Sequence, residues 1–312
     1  MEKRYLTYAE QISFLREKNL IISDEAKSKE TLRRYGYYAL ITGYKDLLKN
    51  PTTGKYADGT TLEDIVALYR FDEQLRELTF RYLLHIERQL RSSLSYSFCA
   101  VFGDDQNAYL DRNSFDISRA KKAQQVDRLI GQFLMPPITT PTKYAYLEHY
   151  KTQHHNVPLW VMFQTLSFGN ISKFYEVSVS RVRSAVSRDY DGISEEQLRQ
   201  ILEVLTDFRN VCAHNERLFN HRCAKHDIPD LPLHQRLRIP QKGQQYLCGK
   251  RDYFAVIVAF AYLLPKDEYI EYLEFLFELL DRAGSEIKKV SNRELRRVMG
   301  IPETLVRETD LE

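Results

Sequence analysis

Glycine and proline are scarce, 12 and 10 in 312 residues, about 7% together where average usage gives roughly 12%. Sandwiches, barrels and Gly-rich nucleotide loops spend glycine in turns, so the shortage argues against them and for helices. The four cysteines, Cys99, Cys212, Cys223 and Cys248, are too few for a disulfide scaffold in a chain of this length. Long apolar runs are missing too. The longest, Tyr253–Leu264, has about 12 residues where a membrane span needs roughly 20. No apolar stretch follows Met1-Glu2-Lys3-Arg4-Tyr5, so the expectation is a cytoplasmic protein without a secretory signal. An excess of one charge is also lacking. Lys and Arg number 45 against 43 Asp and Glu, a net +2, so any basic site must be local. Gly-rich phosphate loops, GxSxG elbows and HExxH pairs are absent, which removes NTPase, serine-hydrolase and zincin chemistry. Asp64, Asp72 and Glu73 do not repeat as a two-metal carboxylate set.

Helical periodicity is what the chain has in quantity. Thr7, with Glu10 three residues on, opens a short amphipathic helix by a capping box. Residues 28–48 form a second helical stretch with an aromatic face: Tyr35, Tyr38, Tyr44. Asn50-Pro51 and Asp58-Gly59 mark a linker of about ten residues. From Thr61 to about Val101, Leu68, Leu75, Leu78, Tyr82, Ile86, Leu90, Leu94 and Phe98 recur at helical steps without Gly or Pro. A helix near 40 residues is about 60 Å long, and a kink or bend is expected in it. Further helices are read around 118–133 and 144–153, from Pro158 to near Gly169, over 171–187, and over 194–214. Apolar helices follow at 251–264 and 266–283, the latter broken by Gly284, and 288–297 reads as a basic tail or short helix. No strand pattern stands out. The fold class is therefore all-α: a 1–55 N-terminal helical subdomain, a 61–290 bundle with insertions at about 104–156 and 221–250, and a 291–312 basic C-terminal tail.

Chemistry concentrates at the end of the 194–214 helix, in Phe208-Arg209-Asn210-Val211-Cys212-Ala213-His214-Asn215-Glu216-Arg217. Asn210 and His214 are i,i+4 neighbours on one face, and Arg209 lies about 140° round from His214. A guanidinium, an amide and an imidazole together suit a phosphodiester: phosphate oxygens held, one positioned, and a proton moved. The competing reading is a His that only complements the helix dipole.

The Arg209-Asn210-x-x-Ala213-His214 spacing resembles the R-x4–6-H motif of HEPN-domain ribonucleases. The longer run to Asn220 is similar to the Abi-like (abortive infection, AbiD/AbiF-type) family of phage-defence proteins. Three more segments agree in order: Leu32-Arg33-Arg34-Tyr35-Gly36-Tyr37-Tyr38-Ala39-Leu40, Ile86-Glu87-Arg88-Gln89-Leu90-Arg91-Ser92, and Pro158-Leu159-Trp160 through Ser167-Phe168-Gly169-Asn170. The likeness runs from about Leu6 to Asn220. It implies a HEPN-type bundle and a metal-independent, toxin-like endoribonuclease whose site is completed in a homodimer. His214 would be general acid or base, Arg209 would stabilise the phosphorane, and Asn210 would orient the pair. Glu87, Arg88, Arg91, Asn215, Arg217, Arg181 and Arg183 would be RNA contacts, with no cofactor and no metal. A regulatory noncoding RNA or an antitoxin is a further partner the resemblance suggests.

Rival readings use the same residues. A non-catalytic RNA- or protein-binding module that senses infection would bind through the trio without cutting. His221, Cys223 and His226 follow closely, but H-x-C-x-x-H is no standard zinc pattern. The charged stripe at Glu87–Arg91 reads equally as a solvated face. Tyr35, Tyr37, Tyr38 and Tyr44 offer either a base-stacking platform or, the favoured reading, packing onto the long helix.

Overall fold

The computed structural model describes residues 4–306. Met1–Lys3 and the last six positions of the 291–312 tail lie outside the described residues. The protein is mostly helical, 66% of it. Its organising element is the long helix, so the others are numbered around it. α1 (Tyr8–Glu17) and α2 (Glu25–Tyr35) precede α3 (Leu62–Phe102). There follow α4 (Ala120–Leu129), α5 (Leu159–Met162), α6 (Phe168–Val177), α7 (Ser180–Ser187) and α8 (Glu195–Ala213). α9 (Tyr253–Leu263), α10 (Lys266–Glu286) and α11 (Asn292–Met299) follow, and four single-turn helices, Gln106–Leu110, Met135–Thr139, Ala145–His149 and Pro232–Arg236, lie in the connections.

α3 runs 41 residues as uninterrupted α-helix, where a kink was expected. Thr61 and Asp64 close a capping box at its start, and Gly103, at φ 86°, ends it. Between them no Pro, Gly or inserted side chain breaks the ladder, the usual causes of a kink. Its apolar stripe meets α10, α7 and α8, and α8 packs in turn on α6 and α9. α9 is buried on every side, as a helix apolar all round must be.

The boundaries expected at glycines move for reasons of close approach. Gly169 does not close a helix; it lies in the first turn of α6, capped by Ser167. A Cβ there would meet the Thr206 methyl at 3.2 Å, so glycine lets α6 and α8 approach. Gly284 likewise sits inside α10, against Asn292 of α11. The single helix expected over 171–187 is two. Ser178 is extended, its hydroxyl donates to the Phe174 carbonyl at 2.7 Å, and two valines flank it. The 288–297 segment resolves into α11, capped by Ser291 and packed on α10. A two-residue antiparallel pair, Gln241–Lys242 with Gln245–Tyr246, is a small strand element the periodicity did not show.

The 50–60 segment is folded back rather than extended. Lys49 bridges Tyr56, Tyr56 is buried, and Ile21 bridges Thr61. Tyr35 and Tyr44 pack on Tyr69 of α3, with ring centroids 5.0 and 5.3 Å apart, while Tyr38 stays exposed. Packing is thus the role of the first two aromatics.

Candidate functional site

α8 forms as its sequence dictates. Ser194 and Gln197 close a capping box, Glu195 and Glu196 occupy the first turn, and Leu198, Ile201, Leu205 and Phe208 are buried. Its far end is a Schellman motif. The Glu216 N–H donates to the Val211 carbonyl at 3.0 Å and the Asn215 N–H to the Cys212 carbonyl at 3.3 Å. Asn215 takes the left-handed position at φ 56°. Its place in the fold is therefore that of a helix stop, a part that asparagine fills better than most residues.

That stop leaves Asn210 and His214 exposed, one turn apart. The His214 imidazole, at the C-cap position, makes no hydrogen bond or ion pair with any described residue, so its ring nitrogens are open to a ligand. Arg209 turns the other way, towards α3. Its guanidinium lies over the Phe80 ring, 5.7 Å from the centroid, and its Nε stands 4.0 Å from Glu87 Oε2. Both of those atoms are buried without a hydrogen-bond partner among the described residues. The other Glu87 oxygen accepts from Arg91 Nη2, which also donates to the Leu166 carbonyl at 2.5 Å. One buried carboxylate thus faces two arginines. Arg88, next along, points to solvent. Cys212 is excluded as a nucleophile, because burial pushes its thiol up to about 12.

The segment after the stop is tied to α3 by a buried network that sequence reading passed over. Asp72 accepts from the Tyr44 hydroxyl at 2.6 Å, from Arg76 Nη1 at 2.5 Å, and from the backbone N–H groups of Leu218 and Phe219 at 3.1 and 2.7 Å. Arg76 also donates to the Glu216 carbonyl at 3.2 Å. Burial pushes the Asp72 carboxyl up, opposed by Arg76, the Tyr44 hydroxyl and the two amides. Every partner is a donor, which is the environment of a carboxylate. The signal was present in the chain: Asp72 falls in phase with the apolar stripe, between Leu68 and Leu75.

Other expected RNA contacts are engaged within the fold. Arg217 donates to the Gly43 carbonyl, fastening the motif's far end to the N-terminal region. Arg183 donates to the Ser178 carbonyl and pairs with Glu195 at 3.1 Å and Asp116 at 3.7 Å. It joins α7 to α8 and is not a free cation. Arg181, on the same helix, is exposed. His221 meets Asp207 at 2.7 Å and His226 meets Glu203 at 3.2 Å. Among the described residues no group of three His, Cys, Asp or Glu side chains is arranged to hold a metal ion. Nor is any described helix long and apolar enough to cross a membrane.

Comparison with known proteins adds the family. The Abi-like protein family matches residues 30–220, well over half of the chain. That span contains all four segments on which the resemblance rests, including the Arg209–Asn220 run, and begins later than Leu6. No curated protein and no solved structure matches. The chain belongs to the Abi-like protein family, which implies a part in abortive-infection defence against phage.

Proposed function

We propose that this protein is a metal-independent endoribonuclease of abortive infection, with Arg209, Asn210 and His214 as its reacting group. The observation that carries the reading is the disposition of the trio. His214 is free and solvent-facing at a fixed helix end, while Arg209 is anchored from behind by Phe80 and Glu87.

The chemistry is in-line transfer within RNA. His214 takes the proton of a ribose 2′-OH, the 2′ oxygen bonds to the adjacent phosphorus, and the bond from phosphorus to the 5′ oxygen breaks. The leaving 5′ oxygen receives a proton from a second imidazole, and the products are a 2′,3′-cyclic phosphate and a 5′-hydroxyl. Arg209 neutralises charge that builds on the phosphorane oxygens, and Asn210 orients one of them. The chain carries one good copy of the motif, so the second imidazole comes from His214 of the partner subunit in a homodimer. DNA, lacking the 2′-OH, is not a substrate by this route.

The test is incubation of the purified full-length protein with total RNA in EDTA, beside His214→Ala and Arg209→Ala. Cleavage with cyclic-phosphate ends, lost in both variants, is expected. Cleavage that survives His214→Ala or requires Mg²⁺ refutes the mechanism. RNA binding without cleavage by the wild type would instead favour the binding-module reading.

A further inference from the structure

α3 presents a solvent-facing stripe at one-turn intervals: Leu84, Arg88, Ser92 and Tyr96, all exposed. A shallow groove runs along each side of it. One, of about 310 Å³, lies between α3 and α5 and includes Glu87, Arg88, Ser92, Trp160 and Gln164. The other, of about 790 Å³, lies between α3 and the end of α7 and includes Arg88, Ser92, Tyr96, Arg188 and Asp189. Arg88 and Ser92 line both, so the two grooves and the ridge between them form one face, the track considered below.

Three properties of the track point to its occupant. Two of its cations are free: unlike Arg91, which is held by Glu87 and the Leu166 carbonyl, neither the Arg88 nor the Arg188 side chain makes an ion pair or hydrogen bond with a described residue. Of its carboxylates, Glu87 is paired with Arg91 and faces Arg209, whereas Asp189 accepts from the Ser93 hydroxyl and keeps its charge at the far rim. Its flat side chains are uncovered, Trp160 at 45% and Tyr96 at 78% exposure. Exposed cations between exposed aromatic faces fit a strand whose phosphates and unstacked bases are both available. The first groove reaches Glu87, the residue that backs Arg209.

We propose that this track binds single-stranded RNA, with bases stacked on Trp160 and Tyr96 and the backbone held by Arg88 and Arg188. The assignment of RNA rests on the reading of the Arg209–His214 group above. A duplex is disfavoured because its bases are already stacked on one another.

Trp160 is the single tryptophan of the chain, so its fluorescence reports the track directly. The experiment titrates full-length His214→Ala protein with a fluorescein-labelled 12-nucleotide oligoadenylate, reading anisotropy, and with the unlabelled strand, reading tryptophan emission. Duplex RNA and the matching DNA strand serve as comparison arms. Expected are quenching by single-stranded RNA, weaker binding of the duplex, and losses of roughly 5- to 100-fold in affinity for Trp160→Ala and for Tyr96→Ala. Trp160→Phe, which keeps a ring, retains most of the affinity. Arg88→Gln and Arg188→Gln each lower the salt dependence by about one counterion. Unchanged affinity in both alanine variants, or equal binding of duplex, overturns the track while leaving cleavage to be judged by its own assay. Alanine variants that alter sedimentation but not affinity would make the face a contact between two copies. Tighter binding of the DNA strand overturns the assignment to RNA. A wild type that neither binds nor cleaves overturns both proposals.

Discussion

Asp72 is the residue whose removal should be felt most. It is fully buried, pairs with a buried Arg76, and takes the N–H groups of Leu218 and Phe219, which have no helix or sheet to bond to. Asp72→Ala leaves the Arg76 guanidinium uncompensated, and breaking one side of a buried pair costs roughly 3–5 kcal/mol. Against a usual total of about 5–15 kcal/mol, that is a large share. The melting temperature should fall on the order of 10 °C, and amide exchange at Leu218 and Phe219 should accelerate ahead of the rest. A second variant separates charge from hydrogen bonding. Asp72→Leu with Arg76→Met removes both charges, which in many proteins restores stability. Here it still strands two backbone donors and the Tyr44 hydroxyl, so a deficit of at least about 2 kcal/mol should remain. Urea denaturation followed by circular dichroism measures both. A loss below about 1 kcal/mol for Asp72→Ala, or a double variant as stable as wild type, refutes the reasoning.

Asn215→Gly should be neutral within about 0.5 kcal/mol, whereas Asn215→Val should cost roughly 1–2 kcal/mol in the same denaturation, since only the latter resists positive φ. Glu87→Gln keeps the shape but loses the charge that faces Arg209 and Arg91; the single-turnover cleavage rate should fall about 10- to 100-fold while unfolding changes by less than about 2 kcal/mol. An unchanged rate would show that Arg209 needs no backing. Acid should loosen the α7–α8 joint. Lys122 and then Ser118 hold the Asp116 carboxyl below the carboxylate range, and at Glu195 burial is outweighed by Ser184, Ser180 and Arg183. Both folded-state values are lowered, so their stabilisation is complete above the unfolded value near pH 4 and is lost as pH falls through the folded values. Thermal melts from pH 7 to pH 2 should decline below about pH 4, less steeply in Arg183→Gln; a flat profile contradicts the assignment.

The helices were legible because their apolar residues keep a 3.6-residue period over many turns, as in α3, α8 and α10. Glycine misled twice, at Gly169 and Gly284, where the residue serves close approach between helices rather than an end. A neighbour's distance is not written in local sequence. The same holds at the candidate site. Arg209 and His214 could be named from spacing, but whether Arg217 and Arg183 were free or fastened depended on carbonyls and carboxylates elsewhere: Gly43, Ser178, Asp116 and Glu195. Asp72 was visible as a carboxylate in an apolar stripe, yet its partners lie in a different part of the chain. Glu87 was read as an RNA contact or as one of a solvated row, and it is neither exposed nor free: its phase places it towards the core, facing Arg91 and Arg209.

The tie between Asp72 and the Leu218 and Phe219 amides spans 146 and 147 positions. During synthesis, α3 therefore emerges with Asp72 and Arg76 able to meet each other and Tyr44, but without the Glu216 carbonyl and the Leu218 and Phe219 amides that complete the network. They are supplied only after the chain has passed Phe219, some tens of seconds at usual elongation rates near 5 residues per second. A polypeptide cut between His214 and Phe219 carries Arg209 and His214 in sequence but lacks the backbone amides that tie their segment to α3.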